Sequence, residues 1–493
     1  MDNLLQKLLQ YDESNMYPFH MPGHKRNVPG SPLEKMYHID ITEIEGFDNL
    51  HCPEGVLKEE QQFAATLYGA EKSYFLINGS TSGILTAISS TVPRGGKLLL
   101  ARNSHKSAYN ALYLREIEAE YVYPYILEEG FLYGSISPNE IRRILQDNYE
   151  QRENSCPFQA VMITSPSFDG VISDIRRIAE VVHEFGIPLI VDEAHGAHLG
   201  FYSDFPESAV KSGADIVIQS LHKTLPSLTQ TAVLHVNGNI VDRQEVEKYL
   251  AIYQSSSPSY VLMASMSECL HYIRDNREQL FSVFSSRLAD FYKKTGNLSS
   301  LRVFGVNHKD KVRIFAFDIS KIVISTYHAG ISGYDLYRIL LEKYQIQVEM
   351  ASEFYVLALT SIMDTQAGFD RLAAAILEID KSIAFNSLQK NQKTSIIGMS
   401  VLKLFQKSEK TMCITDAADA LKIEVLFQDC AGRISGEFLY LYPPGIPVVV
   451  PGERISQGIL DQFLIWKQIG LNVQGPKDTT LTRIQILEEE VLL

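Results

Sequence analysis

Between about residues 60 and 240 the hydrophobic positions form short continuous runs, separated by amphipathic stretches. Continuous runs bounded by turn residues predict buried strands, and the stretches with a helical repeat predict helices between them. A helix is expected over residues 59–68, ended by Gly69, then a strand over 72–77. Residues 83–90 continue as helix and 97–101 as strand. Residues 160–163 read as a strand, 175–185 as a helix stopped by Gly186, and 188–191 and 214–219 as further strands. Strands alternating with helices imply parallel crossovers and an α/β sheet covered on both faces. Such sheets bind ligands beyond the carboxyl ends of their strands. Asn78, Ser104, Ser165, Asp192 and Ser220 are expected there.

From about residue 310 the texture changes. Residues 312–319 and 346–350 read as strands, 334–344 and 369–383 as helices, and 387–395 as a polar linker. The chain opens on a short amphipathic helix with Leu4, Leu5, Leu8 and Leu9 on one face. No internal repeat is visible. The expected organisation is an N-terminal segment over 1–60, a large α/β domain over 61–310, a small α+β domain over 311–385 and a C-terminal domain over 386–493.

Composition narrows the function classes. A chain of 493 residues with 45% hydrophobic and 21% charged residues can bury large cores. A net charge of −14 argues against a nucleic-acid partner, which needs a basic stripe. Cys52, Cys156, Cys269, Cys413 and Cys430 are odd in number and scattered, so reduced thiols and a cytoplasmic location are expected. No apolar run approaches a membrane span, and no secretion signal opens the chain.

Two segments carry candidate chemistry. An apolar run ends in Asp192-Glu193-Ala194-His195-Gly196, and a second ends in Ser220-Leu221-His222-Lys223-Thr224. One strand end would present an anion and its neighbour an amine. A pyridoxal 5′-phosphate enzyme needs that pair: a lysine to form the Schiff base, and an acid to keep the ring nitrogen protonated. Asp-Glu-Ala-His also spells a helicase box, but no Gly-Lys-Ser or Gly-Lys-Thr completes a phosphate loop. His183, His195 and His198 suggest zinc, yet neither His-Glu-x-x-His nor Cys-x-x-Cys occurs, so no metal is expected.

The stretch Asn78-Gly79-Ser80-Thr81-Ser82-Gly83 precedes a helix, and small or hydroxylated residues there suit either an anion or an ordinary N-cap. His105, in Asn103-Ser104-His105-Lys106-Ser107, could stack on a ring or stand as a surface loop residue.

The ordered set of motifs resembles the Orn/Lys/Arg decarboxylase family, in its short Gram-positive form. Besides the segments above, it includes His20-Met21-Pro22-Gly23-His24-Lys25, Asp48-Asn49-Leu50-His51-Cys52-Pro53-Glu54-Gly55, Ser255-Ser256-Ser257-Pro258-Ser259-Tyr260, and the Tyr-Pro-Pro-Gly-Ile-Pro and Pro-Gly-Glu runs within 442–453. Two positions depart from common forms, Cys52 and the Ser80 that lengthens a Gly-Thr-Ser core. The receiver-like N-terminal wing of longer relatives is not expected.

The resemblance implies fold type I, with a mostly parallel seven-stranded sheet in the large domain and a smaller α+β C-terminal region. It implies Lys223 as the Schiff-base lysine, Asp192 as partner of the ring nitrogen and His105 stacked on the ring, with His222 beside Lys223 as a proton carrier. Ser80, Thr81, Ser82, His195, Ser220 and His222 would complete the cofactor site, and Ser256 or Ser257 would reach the phosphate of a neighbouring subunit. A homodimer, or an assembly built from dimers, follows from that last role. The expected reaction is decarboxylation of a basic amino acid, arginine first, then lysine or ornithine. His24, Glu45, Asp48, Glu349 and Glu453 are the candidates for holding the substrate. An aminotransferase or aldolase-type lyase would share Lys223 and Asp192. A non-catalytic regulator of the same fold should carry a basic extension that the sequence lacks.

Overall fold

The computed structural model describes residues 3–127, 132–151, 153, 156–305, 312–390, 408–442, 445–468 and 471–488. In its first half the strands are β1 (Lys72–Leu76), β2 (Lys97–Ala101), β3 (Glu118–Val122), β4 (Phe158–Thr164), the two-residue β5 (Val171–Ile172), β6 (Leu189–Asp192), β7 (Ile216–Ser220) and β8 (Ala232–Val236). Seven of them form one sheet in the order β1-β8-β7-β6-β4-β2-β3. From β3 through β2, β4 and β6 to β7 all neighbours are parallel, while β8 runs antiparallel to both β7 and β1.

The reversal at β8 has a local cause. Only the short helix Leu221–Thr224 and a loop separate β7 from β8. That connection is too short for a parallel crossover, so the chain returns beside the strand it left. The central strands are buried on both faces, every residue of β2 and β6 included, whereas edge strand β3 keeps exposed positions. Alternate residues feed two cores. Phe75, Leu99, Val161, Val191 and Val217 pack towards the helices Val56–Tyr68 and Tyr260–Lys294. Leu76, Leu98, Leu100, Ile190 and Ile218 pack towards Gly79–Thr91 and Lys106–Arg115.

The second half begins with β9 (Arg302–Phe304), β10 (Ala316–Phe317), β11 (Lys321–Ser325), β12 (Met350–Ala351) and β13 (Tyr355–Leu359). An antiparallel sheet in the order β12-β13-β11-β9 packs with the helices Gly333–Tyr344 and Gln366–Lys390. The strand expected over 312–319 shrinks to β10, paired with β5. Phe315 is exposed, and the Asp318 carboxylate turns inward to His198 and to the Ser320 N–H. The 346–350 strand reduces to β12 for a similar reason, since only Met350 and Ala351 find a ladder partner on β13.

The C-terminal region holds β14 (Lys422–Leu426), β15 (Leu439–Leu441), β16 (Pro447–Val449), β17 (Val473–Gln474) and β18 (Arg483–Leu487). β14 pairs with β18, and β15 lies between β16 and β17. Phe427, Phe463 and Trp466 fill its core. The helix Gln366–Lys390 runs into the expected linker, and residues 391–395 of that linker lie outside the described residues, as do Pro443 and Pro444. At the start of the chain Asn3 and Gln6 close a capping box on the helix Leu4–Glu13. Leu4 and Leu8 are buried, but Leu9 is largely exposed, so the apolar face is narrower than the four leucines suggest. No described helix is long and apolar enough to cross a membrane.

Candidate active site

Register brings the two expected groups to one sheet edge. Asp192, the last residue of β6, lies opposite Ile218 of β7. β7 continues to Ser220, and Lys223 follows on the single helical turn Leu221–Thr224. Both side chains line one cavity of about 740 Å³. Asp192 is buried and accepts the Ala194 N–H at 3.1 Å. Burial pushes its pKa up, and the Lys223 ammonium opposes that. Burial pushes the Lys223 amine down, with Asp192 and Glu349 opposing. Among the described residues Lys223 and Asp192 form no ion pair, and the Lys223 Nζ instead stands 3.0 Å from His195 Nε2. Acid and amine both face the open volume of the cavity.

Hydroxyl groups form the next wall. Ser80 and Thr81 line the cavity from the first turn of the helix Gly79–Thr91, whose free N–H groups and dipole favour negative charge. Ser80 Oγ and Ser220 Oγ are 2.6 Å apart. Ser82 is the exception: it is buried, donates to the Gly79 carbonyl at 2.8 Å and does not line the cavity. His222 lines it, with Nδ1 held 2.9 Å from the Thr231 carbonyl. His105 caps the helix Lys106–Arg115 and lines the wall where a ring would stack. Burial, then Lys223 and Lys106, lower its pKa to about 4, so the imidazole is neutral at pH 7.

The substrate candidates divide. Glu349 alone of the five lines this cavity. Glu453 is fully buried elsewhere and bound by Arg102 at 3.0 Å. Asp48 accepts the backbone N–H groups of Glu54 and Gly55, both at 2.7 Å, before the helix Val56–Tyr68. His24 Nε2 faces Asp40 at 3.1 Å, and Glu45 is exposed on the N-terminal segment. Ser256 and Ser257 are exposed before Ser259, the N-cap of Tyr260–Lys294, and do not line this chain's cavity.

Phe168, Gln230 and Lys321 were not expected near the site. Phe168 and Gln230 line the cavity, and the Phe168 ring meets His195 edge-on at 4.9 Å. The amine of Lys321 on β11 is 3.4 Å from His195 Nδ1. A lysine that opens an otherwise apolar strand was the available signal for it.

Comparison with known proteins decides the relationship. Residues 3–321 match the Orn/Lys/Arg decarboxylase major domain and 405–475 the C-terminal domain of the same enzymes. The chain belongs to the Orn/Lys/Arg decarboxylase family. It is 30% identical to the arginine decarboxylase of Halalkalibacterium halodurans over 495 aligned residues, covering 99% of this chain and 97% of that one. It is 29% identical to the arginine decarboxylase of Bacillus subtilis, over 96% of this chain and 95% of that one. The crystal structure of the Francisella novicida lysine decarboxylase shares the fold, with a TM-score of 0.81 at 19% identity, over 98% of this chain and 81% of that one.

A decarboxylase of this family implies pyridoxal phosphate, and the residues present fit it. The cavity offers an amine, a buried acid kept apart from it, a neutral imidazole and a hydroxyl-lined helix N-terminus. Gly79, at φ +71°, supports that last feature, because a side chain would be strained where the loop turns into the helix.

Proposed function

We propose that the chain binds pyridoxal 5′-phosphate in this cavity and decarboxylates arginine to agmatine, a step in polyamine formation in the cytoplasm. The observation that carries the reading is the placing of Lys223 and Asp192 on one cavity without an ion pair between them. Arginine is favoured because the full-length relatives at about 30% identity are named arginine decarboxylases. Lysine and ornithine come next.

Bound in this way, pyridoxal phosphate supplies an electron sink beside the α carbon of an amino acid. Lys223 Nζ would hold the aldehyde and would carry a proton to the α carbon, with His222 as the alternative carrier. The Asp192 carboxylate would keep a proton on the ring nitrogen, and His105 would stack on the ring as a neutral imidazole. Ser80, Thr81, Ser220 and His222 would hold the phosphate. Glu349, which lines the same cavity, would face the cationic end of the substrate. Ser256 and Ser257 belong to the site of a second copy, so the working unit is a homodimer or an assembly of dimers.

The test is direct. Purified protein reconstituted with pyridoxal phosphate should show a visible absorption band that Lys223→Ala abolishes, and should release CO2 fastest from arginine. No CO2 from arginine, lysine or ornithine rejects the reading. Consumption of a keto acid without CO2 points to an aminotransferase instead.

A further inference from the structure

On the cavity wall a histidine stands between two amines. His195 Nε2 is 3.0 Å from Lys223 Nζ, and its Nδ1 is 3.4 Å from Lys321 Nζ. Lys321 is fully buried, with Gly170 pressed on its stem, and it makes no ion pair among the described residues. A buried ammonium without a paired acid is costly. The Lys321 amine therefore needs another arrangement.

The imidazole supplies it. A neutral ring has one N–H and one lone pair. An ammonium on Lys321 donates to Nδ1, which puts the ring proton on Nε2, and that N–H then needs a lone pair on Lys223. An ammonium on Lys223 donates to Nε2, which leaves the N–H on Nδ1 and needs a neutral Lys321. Two ammonium groups leave one of them facing an N–H. The row therefore holds at most one positive charge, which the two amines can share.

We infer that Lys321 is a positioning residue which exchanges a proton with Lys223 through His195, so that Lys223 becomes a free amine without releasing its proton to solvent. The transfer balances: Lys223 gives a proton to Nε2, Nδ1 gives its proton to Lys321, and the reverse restores the start. Acids stand near both ends of the row. Asp192 and Glu349 face Lys223; Asp318, Glu349 and Asp169 face Lys321. His105 and His222 lie around His195, and His198 is held by Asp318. Burial, opposed by Asp318 and reinforced by Lys223, brings Lys321 to about 8, and burial with the two lysines keeps His195 neutral. Lys321 can therefore take up and release a proton near neutral pH.

This inference rests on Lys223 being the reactive amine. The test uses full-length protein freed of cofactor, trace-labelled with acetic anhydride across pH, with Lys223 acetylation read by peptide mass spectrometry. In Lys321→Met the charge has no second seat, so the Lys223 midpoint rises and labelling at pH 7.5 falls at least about tenfold. In Lys321→Arg a permanent cation stands behind His195, so the midpoint falls. A merely structural role would move both variants the same way, and that result, or two unmoved curves, overturns the relay. If neither variant folds, ¹⁵N-histidine shifts of the wild type decide: His195 should show both tautomers in exchange, and a single fixed tautomer overturns the relay. Borohydride reduction of the loaded wild type separates the two readings. Cofactor fixed to another lysine sinks the site assignment, whereas cofactor on Lys223 with unmoved curves sinks the relay alone.

Discussion

Arg102 Nη2 donates to Glu453 Oε2 at 3.0 Å, joining the end of β2 to the C-terminal region through a fully buried acid. The same guanidinium donates to the carbonyls of Pro447 at 2.6 Å and Val448 at 3.0 Å, and Glu453 also accepts the Val450 N–H at 3.0 Å. Glu453 therefore serves the seam between domains, and removing it leaves a buried cation short of its partner. Glu453→Ala should lower stability by about 3 kcal/mol, read from urea unfolding. The KM of the folded fraction should stay within about twofold of wild type, because the acid does not line the cavity.

A buried polar row behind β6 and β7 predicts an unusual pH response. His235 Nε2 faces Gln219 Oε1 at 3.1 Å, and Gln219 donates to Glu193 at 2.6 Å. Burial lowers His235 to about 3 and raises Glu193 to about 7. Between about pH 4.5 and 6.5 the unfolded state carries a proton on the histidine, and the folded state carries it on the glutamate. The depressed histidine makes stability rise with pH in that window, the raised glutamate makes it fall, and the two slopes cancel. Glu193→Gln should leave the histidine slope, with stability gaining about 1.4 kcal/mol per pH unit relative to wild type. His235→Gln should tilt the curve the other way by a similar amount. Urea midpoints measured from pH 4.5 to 6.5 test both, and parallel curves for all three proteins would count against the buried charge exchange.

The legibility of this site in the sequence follows from the physics of each element. Asp192 and Lys223 could be read because parallel strands buried on both faces are unbroken apolar runs, so a charged residue at their ends stands out. Edge strand β3, Glu-Ala-Glu-Tyr-Val, mixes exposed and buried positions and gave no such run. β8 escaped because only a single helical turn and a loop precede it, too short to read as a crossover helix. The substrate acids were harder still. A carboxylate's partner is set by tertiary packing, so sequence could not separate Glu349 in the cavity from Asp48 on a helix start or Glu453 on Arg102. Lys321 was hidden for the same reason, since its partner His195 lies far away in the chain, just beyond β6.

Gly83 links sheet packing to the cavity wall. A Cβ there would lie 2.7 Å from Leu76 Cδ1 and 2.9 Å from Ile218 Cγ2, both in the buried core beneath the helix Gly79–Thr91. Gly83→Ala must lift the first turn of that helix or displace those side chains, at a cost of about 1–3 kcal/mol. The same turn presents Ser80 and Thr81 to the cavity. The variant should fold with a lower melting temperature and bind pyridoxal phosphate more weakly, as fluorescence titration would report. A lower melting temperature with unchanged affinity would separate the helix start from phosphate binding.

Glu349 carries the prediction on substrate choice. It lines the cavity within the electrostatic reach of Lys223, on the segment just before β12. A carboxylate there can pair with a guanidinium through two parallel hydrogen bonds, a geometry that an ammonium cannot match. A hydrogen bond to a charged group contributes about 1.5–3 kcal/mol, so Glu349→Gln should raise the KM for arginine by roughly 10- to 100-fold. The bond is made to a remote part of the substrate, before and during reaction alike, so kcat should change far less. Steady-state kinetics with arginine and lysine on both proteins give the answer. An unchanged KM for arginine would move the recognising acid off this chain's cavity wall, and the N-terminal segment of a second copy, with Glu45 exposed, would be the next place to mutate.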